Sequence, residues 1–202
     1  MEVESNNKNF YSFYKTYNNN NKKQHIIIAG AARSGKTTLS LMLNNYGYTH
    51  YKMDSIKRGI CESFNLKYND WESVSPIMCR IINRIIIDNS TDTNYLKEKY
   101  LFDTPFLYPK DIELIDTSNT KVIFMGYKDI DPLLEVKLIR ENDEENFWTK
   151  KISDDELLKW AKDNIEFSKY LESECNRLNI PYFDTSYDRN NVLKEALEYL
   201  IK

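Results

Sequence analysis

Three observations predict an α/β domain built on a mainly parallel sheet. Short apolar runs alternate along the chain with stretches of helical periodicity, the pattern of repeated βα units. The first run, His25-Ile26-Ile27-Ile28-Ala29, is apolar at nearly every position, as a strand covered on both faces must be. Directly after it, Gly30-Ala31-Ala32-Arg33-Ser34-Gly35-Lys36-Thr37 matches GxxxxGK followed by Ser or Thr, a loop that joins a strand to a helix.

Each element follows in order. The chain has 202 residues, 41% of them hydrophobic, which suits one domain with a sizeable core. Residues 1–23 are rich in Asn, Lys and Tyr and read as a disordered leader. The folded domain is expected from 24 to 202. After the loop a helix runs from Thr37 to Asn45 and stops at Gly47. Tyr48 to Met53 reads as the second strand, followed by Asp54. Ser55 is placed to cap a helix carrying Ile56, Ile60, Cys61 and Phe64 at helical spacing. Pro76 is expected in the first turn of the next helix, where its missing N–H costs nothing.

Lys99 to Asp103 is the third strand and Thr120 to Tyr127 the fourth. Lys137 to Lys151 is charged and irregular, and is expected to be a short mobile lid. Ser153-Asp154-Asp155-Glu156 is a capping box that opens a long amphipathic helix. Its expected inward residues are Leu157, Leu158, Trp160, Ala161, Ile165, Tyr170, Leu171 and Leu178. Pro181 to Asp184 is the fifth strand, and Val192 to Ile201 closes the chain as a helix.

Composition narrows the partners. A formal net charge of -3 with no long basic run gives no footprint for duplex nucleic acid. No apolar stretch approaches the length of a membrane-spanning helix, and the first residues lack the apolar core of a signal peptide. Cys61, Cys79 and Cys175 form no CxxC pair, so buried reduced thiols are expected rather than zinc or disulfides. His25 and His50 have no metal-ligand spacing, and strand packing accounts for both. The expectation is a cytoplasmic monomer or homodimer.

The loop carries the chemistry. Gly30 and Gly35 permit backbone angles that turn successive N–H groups toward a phosphate. The helix beginning near Lys36 points its positive end there. Ala31, Ala32, Arg33, Ser34 and Thr38 complete the expected nucleotide-binding set. The Lys36 ammonium reaches the β- and γ-phosphates, and the Thr37 hydroxyl is placed for Mg²⁺. ATP and Mg²⁺ are therefore the expected ligand and cofactor.

Further candidates sit where predicted strands end, the edge along which an open parallel sheet binds ligands. Asp103 ends an apolar strand and is expected to face Mg²⁺ with Thr37. Asp54 is placed to accept a proton from an acceptor hydroxyl, or to orient it. Arg58, four residues on, shares its helical face and suits an anionic group on the acceptor. Arg80, in one stripe with Arg84, is a further acceptor candidate. Helix caps and solvated ion pairs are the alternatives for these residues. Arg140, after the fourth strand, is expected to stabilise transition-state charge from the lid. Lys36, Asp54 and Arg140 thus form the expected catalytic set.

The chain resembles the P-loop kinases of small molecules and nucleotides, the adenylate-kinase-like group that includes shikimate and gluconate kinases. The resemblance rests on GAARSGKT, on Asp54 and Arg58 after the second strand, on FDTP (Phe102 to Pro105), and on a lid with Arg140. It implies a three-layer α/β/α fold with a five-stranded parallel sheet of order 2-3-1-4-5, an ATP donor, Mg²⁺ and a closing lid. It also implies that the turn at Thr185, Ser186 and Tyr187 approaches the adenine. The implied activity is phosphoryl transfer to a small metabolite or nucleotide. The alternative is a regulatory NTPase without a small-molecule acceptor. A GTPase is disfavoured, because no NKxD motif occurs.

Overall fold

A computed structural model of the chain describes residues 25–91, 98–105, 107–145 and 147–202; the expected leader lies outside the described residues. Five strands, β1 (His25–Gly30), β2 (Tyr48–Lys52), β3 (Lys99–Thr104), β4 (Thr120–Gly126) and β5 (Tyr182–Asp184), form one parallel sheet in the order β2-β3-β1-β4-β5. This is the expected order. The described residues also form six α-helices: α1 (Lys36–Leu43), α2 (Met53–Phe64), α3 (Trp71–Thr91), α4 (Pro132–Asn142), α5 (Asp154–Leu178) and α6 (Arg189–Ile201).

β1 lies at the centre, and all of its residues are buried. Successive strand side chains point to opposite faces, so β1 feeds two cores. Ile27 and Ala29 join Phe102, Phe124, Met78, Ile82, Ile165 and Leu171 on one face. Ile26 and Ile28 join Leu39, Leu43, Leu193 and Leu200 on the other. The second face is thereby covered by α1 and α6, and the first by α2, α3 and α5. Each fully buried Ile contributes at most about 1.5–3 kcal/mol. The three buried cysteines are free thiols. Burial pushes the Cys79 and Cys175 thiols up to about 12.

Several boundaries differ from expectation. α1 ends at Leu43, and a 3-10 turn, Asn44–Tyr46, leads to left-handed Gly47. α2 starts at Met53 with extended Lys52 before it, so Ser55 lies inside the helix and caps nothing. α3 starts at Trp71, where Asp70 Oδ1 accepts from Ser73 N at 3.2 Å. Pro76 is therefore internal. The carbonyl it leaves without an N–H partner belongs to exposed Glu72, where water can bond it.

The segment from Lys137 to Lys151 is only partly irregular. It includes the end of α4 and a 3-10 turn at Trp148–Lys151. The capping box of α5 forms as expected, with Glu156 N donating to Ser153 Oγ at 3.3 Å. The buried stripe of α5 is Leu157, Ala161, Ile165, Ser168, Leu171 and Cys175, steps of three and four that average a helical turn. Tyr170, expected inward, falls off that stripe and is exposed, and Leu178, also expected inward, is exposed at the last residue of the helix. No helix among the described residues is long and apolar enough to cross a membrane.

Candidate nucleotide and acceptor site

The loop is held in shape by the two central strands. Gly30 has φ +133° and pairs with Met125 of β4. A Cβ at Gly30 would lie 1.9 Å from the Met125 carbonyl oxygen. Ala31 N donates to that oxygen at 2.9 Å. The chain then turns through two left-handed residues, Arg33 (φ 65°) and Gly35 (φ 97°), and enters α1. Gly35 is the N-cap, no side chain caps it, and the first turn holds no acidic residue. The leading N–H groups of a helix have no carbonyl within it to bond, so this end and its dipole are left for an anion. Thr185 braces the loop from the end of β5. Its hydroxyl lies 3.0 Å from the Gly126 carbonyl oxygen and 3.3 Å from that of Ser34.

Lys36 is buried, and its Nζ donates to the Ala31 carbonyl at 2.5 Å. Burial lowers its pKa to about 8; Asp103 and Asp54 oppose that shift, and Arg189 adds to it. Thr37 Oγ1 donates to Asp103 Oδ2 at 2.9 Å. His50 Nε2 stands 3.9 Å from the same oxygen, and burial lowers the His50 pKa. Asp54, in the first turn of α2, is exposed, but it lines a cavity rather than an open surface. Its carboxyl is raised, first by desolvation and then by Asp103, while Lys36, Lys57 and Arg58 pull it back.

The cavity has a volume of about 720 Å³. Ala32, Arg33, Lys36, Thr37, Asp54 and Asp103 line it around the loop. The rest of its wall is largely aromatic: Tyr68, Trp71, Tyr108, Phe147, Trp148, Trp160 and Phe167. None of these rings was a sequence candidate for the site. They are scattered over about a hundred residues, and no local pattern announces their meeting. Lys57 also lines the cavity and is fully buried, with Nζ 3.6 Å from the Tyr68 ring centroid. Burial lowers its pKa to about 8.

Other expected site residues stand elsewhere. Arg58 is exposed and bonds Tyr68, and Arg80 is exposed on α3; neither lines the cavity. Arg140 also stands outside the lining. Its guanidinium bonds Asp154 Oδ1 at 2.7 Å and the Ile152 carbonyl at 2.8 Å, as well as the Thr149 carbonyl. It ties α4 to the start of α5. Ser186 Oγ donates to Asp184 Oδ1 at 2.5 Å and accepts from Asp129 N at 2.9 Å.

Arg33 reaches from the loop to the far end of α4, donating to both Asp143 oxygens at 2.5 and 3.1 Å. Sequence reasoning missed two charged neighbours. Arg189 opens α6 beside Gly35, with Nε 3.4 Å from where a Gly35 Cβ would stand. Buried Glu135 of α4 has a carboxyl raised by burial and held back by Arg33 and Arg189. The signal for Arg189 was its position just past the fifth strand, at the same sheet edge as Asp103.

No protein-family model and no curated protein sequence matches the chain. Solved structures do. A shikimate kinase from Bacteroides thetaiotaomicron superposes with a TM-score of 0.54 at 13% identity, covering 89% of this chain and 99% of that one. A gluconokinase from Sinorhizobium meliloti 1021 gives a TM-score of 0.54 at 13% identity, covering 89% of this chain and 92% of that one. The chain therefore has the fold of the P-loop small-molecule kinases, with no single member of that group distinguished.

Proposed function

We propose that this protein transfers the γ-phosphoryl group of ATP to a hydroxyl of a small molecule. One observation carries the reading. An uncapped helix N-terminus, the Lys36 ammonium and the Thr37–Asp103 pair meet at the cavity that also holds Asp54. Lys36 exchanges its Ala31 carbonyl for phosphate oxygens and holds them against the loop N–H groups. Asp54 orients the acceptor hydroxyl and takes its proton late in the transfer.

The hydroxyl of Thr37 and the carboxylate of Asp103 are hard oxygen donors within hydrogen-bond distance of each other. Such a pair suits Mg²⁺, which completes its shell with water and substrate oxygens. Bound there, Mg²⁺ supplies neutralisation of charge on the β- and γ-phosphates. Arg33 gives up Asp143 for phosphate, and α4 with the Trp148–Lys151 turn acts as the lid. Arg140 holds these two parts of the lid to α5 rather than entering the transition state.

The titration of Lys36 gives a direct check. In the free protein its pKa is about 8, and a bound polyphosphate favours the ammonium. ATP binding at pH 8 is therefore expected to take up about half a proton. Calorimetry in buffers of different ionisation enthalpy measures this, and Lys36→Met removes it. Asp54→Asn is expected to lower kcat by about 10²–10³-fold while leaving the ATP dissociation constant within about twofold. The deciding assay is transfer of γ-labelled phosphate to a pool of small molecules. Label on a small molecule supports the kinase. Release of free phosphate alone, with an ATP-dependent change of shape, assigns a regulatory NTPase instead.

A further inference from the structure

The aromatic part of the cavity narrows the class of acceptor. Trp160, Asp163, Asn164 and Phe167 all line the cavity from α5. They are spaced i, i+3, i+4, i+7 and so form one stripe of the helix. Two rings thus bracket two polar side chains. Trp71 of α3 packs edge-on against Phe167, with centroids 4.7 Å apart. Trp148, from the turn after α4, packs against Trp160 at 5.5 Å. Phe147 and Trp148 are 47% and 44% exposed although they line the cavity. Single exposed rings are ordinary on a protein surface. Rings from α3, α5 and the turn after α4 lining one void are not. Such a wall suits a flat ring that stacks on its faces and hydrogen-bonds at its edge, with Asn69, Asp163 and Asn164 among the lining.

Charge narrows the class again. Beyond the loop's own Arg33 and Lys36, the described residues lining the cavity include one cation, Lys57, against three acids, Asp54, Asp103 and Asp163. Asp163 is paired with Lys159 at 2.8 Å. Lys57 lies against the Tyr68 and Trp71 rings. Arg58 and Arg80, the cations expected to receive an anionic acceptor group, are not in the lining. The acceptor part thus lacks the arginine fork that binds a phosphate bidentately.

We propose that the acceptor is an uncharged nucleoside, its base among the rings of α3 and α5 and its sugar hydroxyl toward Asp54. This deepens the kinase reading and rests on it. As the hydroxyl oxygen bonds the γ-phosphorus, its proton passes to the Asp54 carboxylate. The bond from that phosphorus to the β,γ-bridging oxygen breaks, and ADP leaves with the electron pair. The products are a nucleoside monophosphate and ADP.

The test titrates nucleosides, their 5′-monophosphates and gluconate into the full chain, with the donor site first saturated by a non-hydrolysable ATP analogue. Tryptophan fluorescence reports binding without requiring turnover. At least one nucleoside is expected to bind saturably, about tenfold or more tighter than its monophosphate. Trp160→Leu and the lid variant Phe147→Ala are each expected to weaken it about tenfold, with circular dichroism showing a folded chain. Saturable binding of gluconate alone, a monophosphate that binds tighter than its nucleoside, or no nucleoside binding at all would overturn the proposal. The kinase reading fails separately. Nucleoside binding without transfer of γ-labelled phosphate keeps the aromatic subsite and removes the reaction. Label appearing on gluconate, with no nucleoside bound, keeps the reaction and removes the nucleoside.

Discussion

Lys36→Met is expected to abolish ATP turnover and, at the same time, to stabilise the fold. The first effect follows from position. Lys36 is the ammonium aimed into the loop, beside Asp103 and Asp54. Losing a charge of this kind from a phosphoryl-transfer site costs about 10³-fold or more in kcat/KM.

The second effect follows from burial. The folded pKa is about 8, against an ordinary 10.5, so the folded state disfavours the charged form. The sign follows from proton linkage. The unfolded chain binds the extra proton between these two values, so the stability contributed by this group rises with pH across that window. Below it, at pH 7, keeping the ammonium buried costs roughly 3 kcal/mol. Methionine keeps the length of the side chain and removes that cost. A higher melting temperature with no measurable turnover is the expected pair of results. Unchanged turnover in the purified variant would mean that this loop is not the nucleotide site.

Gly30→Ala is expected to prevent folding. The added Cβ would stand 1.9 Å from the Met125 carbonyl oxygen and 2.6 Å from its nitrogen. Both atoms are backbone of the neighbouring strand, so no side-chain rotation relieves the overlap. The two central strands would have to part, and the bond from Ala31 N to Met125 O would go with them. A loss of about 4 kcal/mol or more is expected, measured by urea unfolding or by the soluble yield. Gly47 makes the contrast. It also has positive φ, at 75°, but no atom lies within 4 Å of a Cβ there. Gly47→Ala should cost only about 1 kcal/mol, the strain of a left-handed backbone. A Gly30→Ala chain as stable as the parent would contradict the β1–β4 contact described above.

What the sequence disclosed depended on whether a signal was local. All five strands were legible, because their runs are short and Asp103 and Asp184 mark the ligand edge in β3 and β5. The loop was legible because its glycines and Lys36 act through spacing alone. α4 was not. Its Leu133, Leu134 and Leu138 face outward, and only Glu135 and Ile139 are buried, so no apolar stripe marks it. Asp131 before Pro132 was the signal for its start, with Asp131 accepting from Leu133 N at 2.8 Å.

Pro76 misled for the opposite reason. Proline favours a helix start, yet here Asp70 opens α3 six residues earlier. Arg140 drew attention by charge and by its place after the fourth strand. Its role as a tie depends on the Thr149 and Ile152 carbonyls, which no sequence pattern reveals. The aromatic wall needed three-dimensional knowledge throughout, since Trp71, Tyr108, Phe147 and Phe167 meet only after α3 and α5 have packed.

The thiols of Cys79 and Cys175 add a practical consequence. Alkylating reagents attack the thiolate, and a group with a pKa near 12 is ionised in only about one molecule in ten thousand at pH 8. With the layer intact, iodoacetamide has almost nothing to react with at these two thiols. Each alkylation at Cys79 or Cys175 then records a moment when α3 or α5 has come away from the sheet. Two internal clocks, one on each helix, tell whether that layer opens as a unit or in halves.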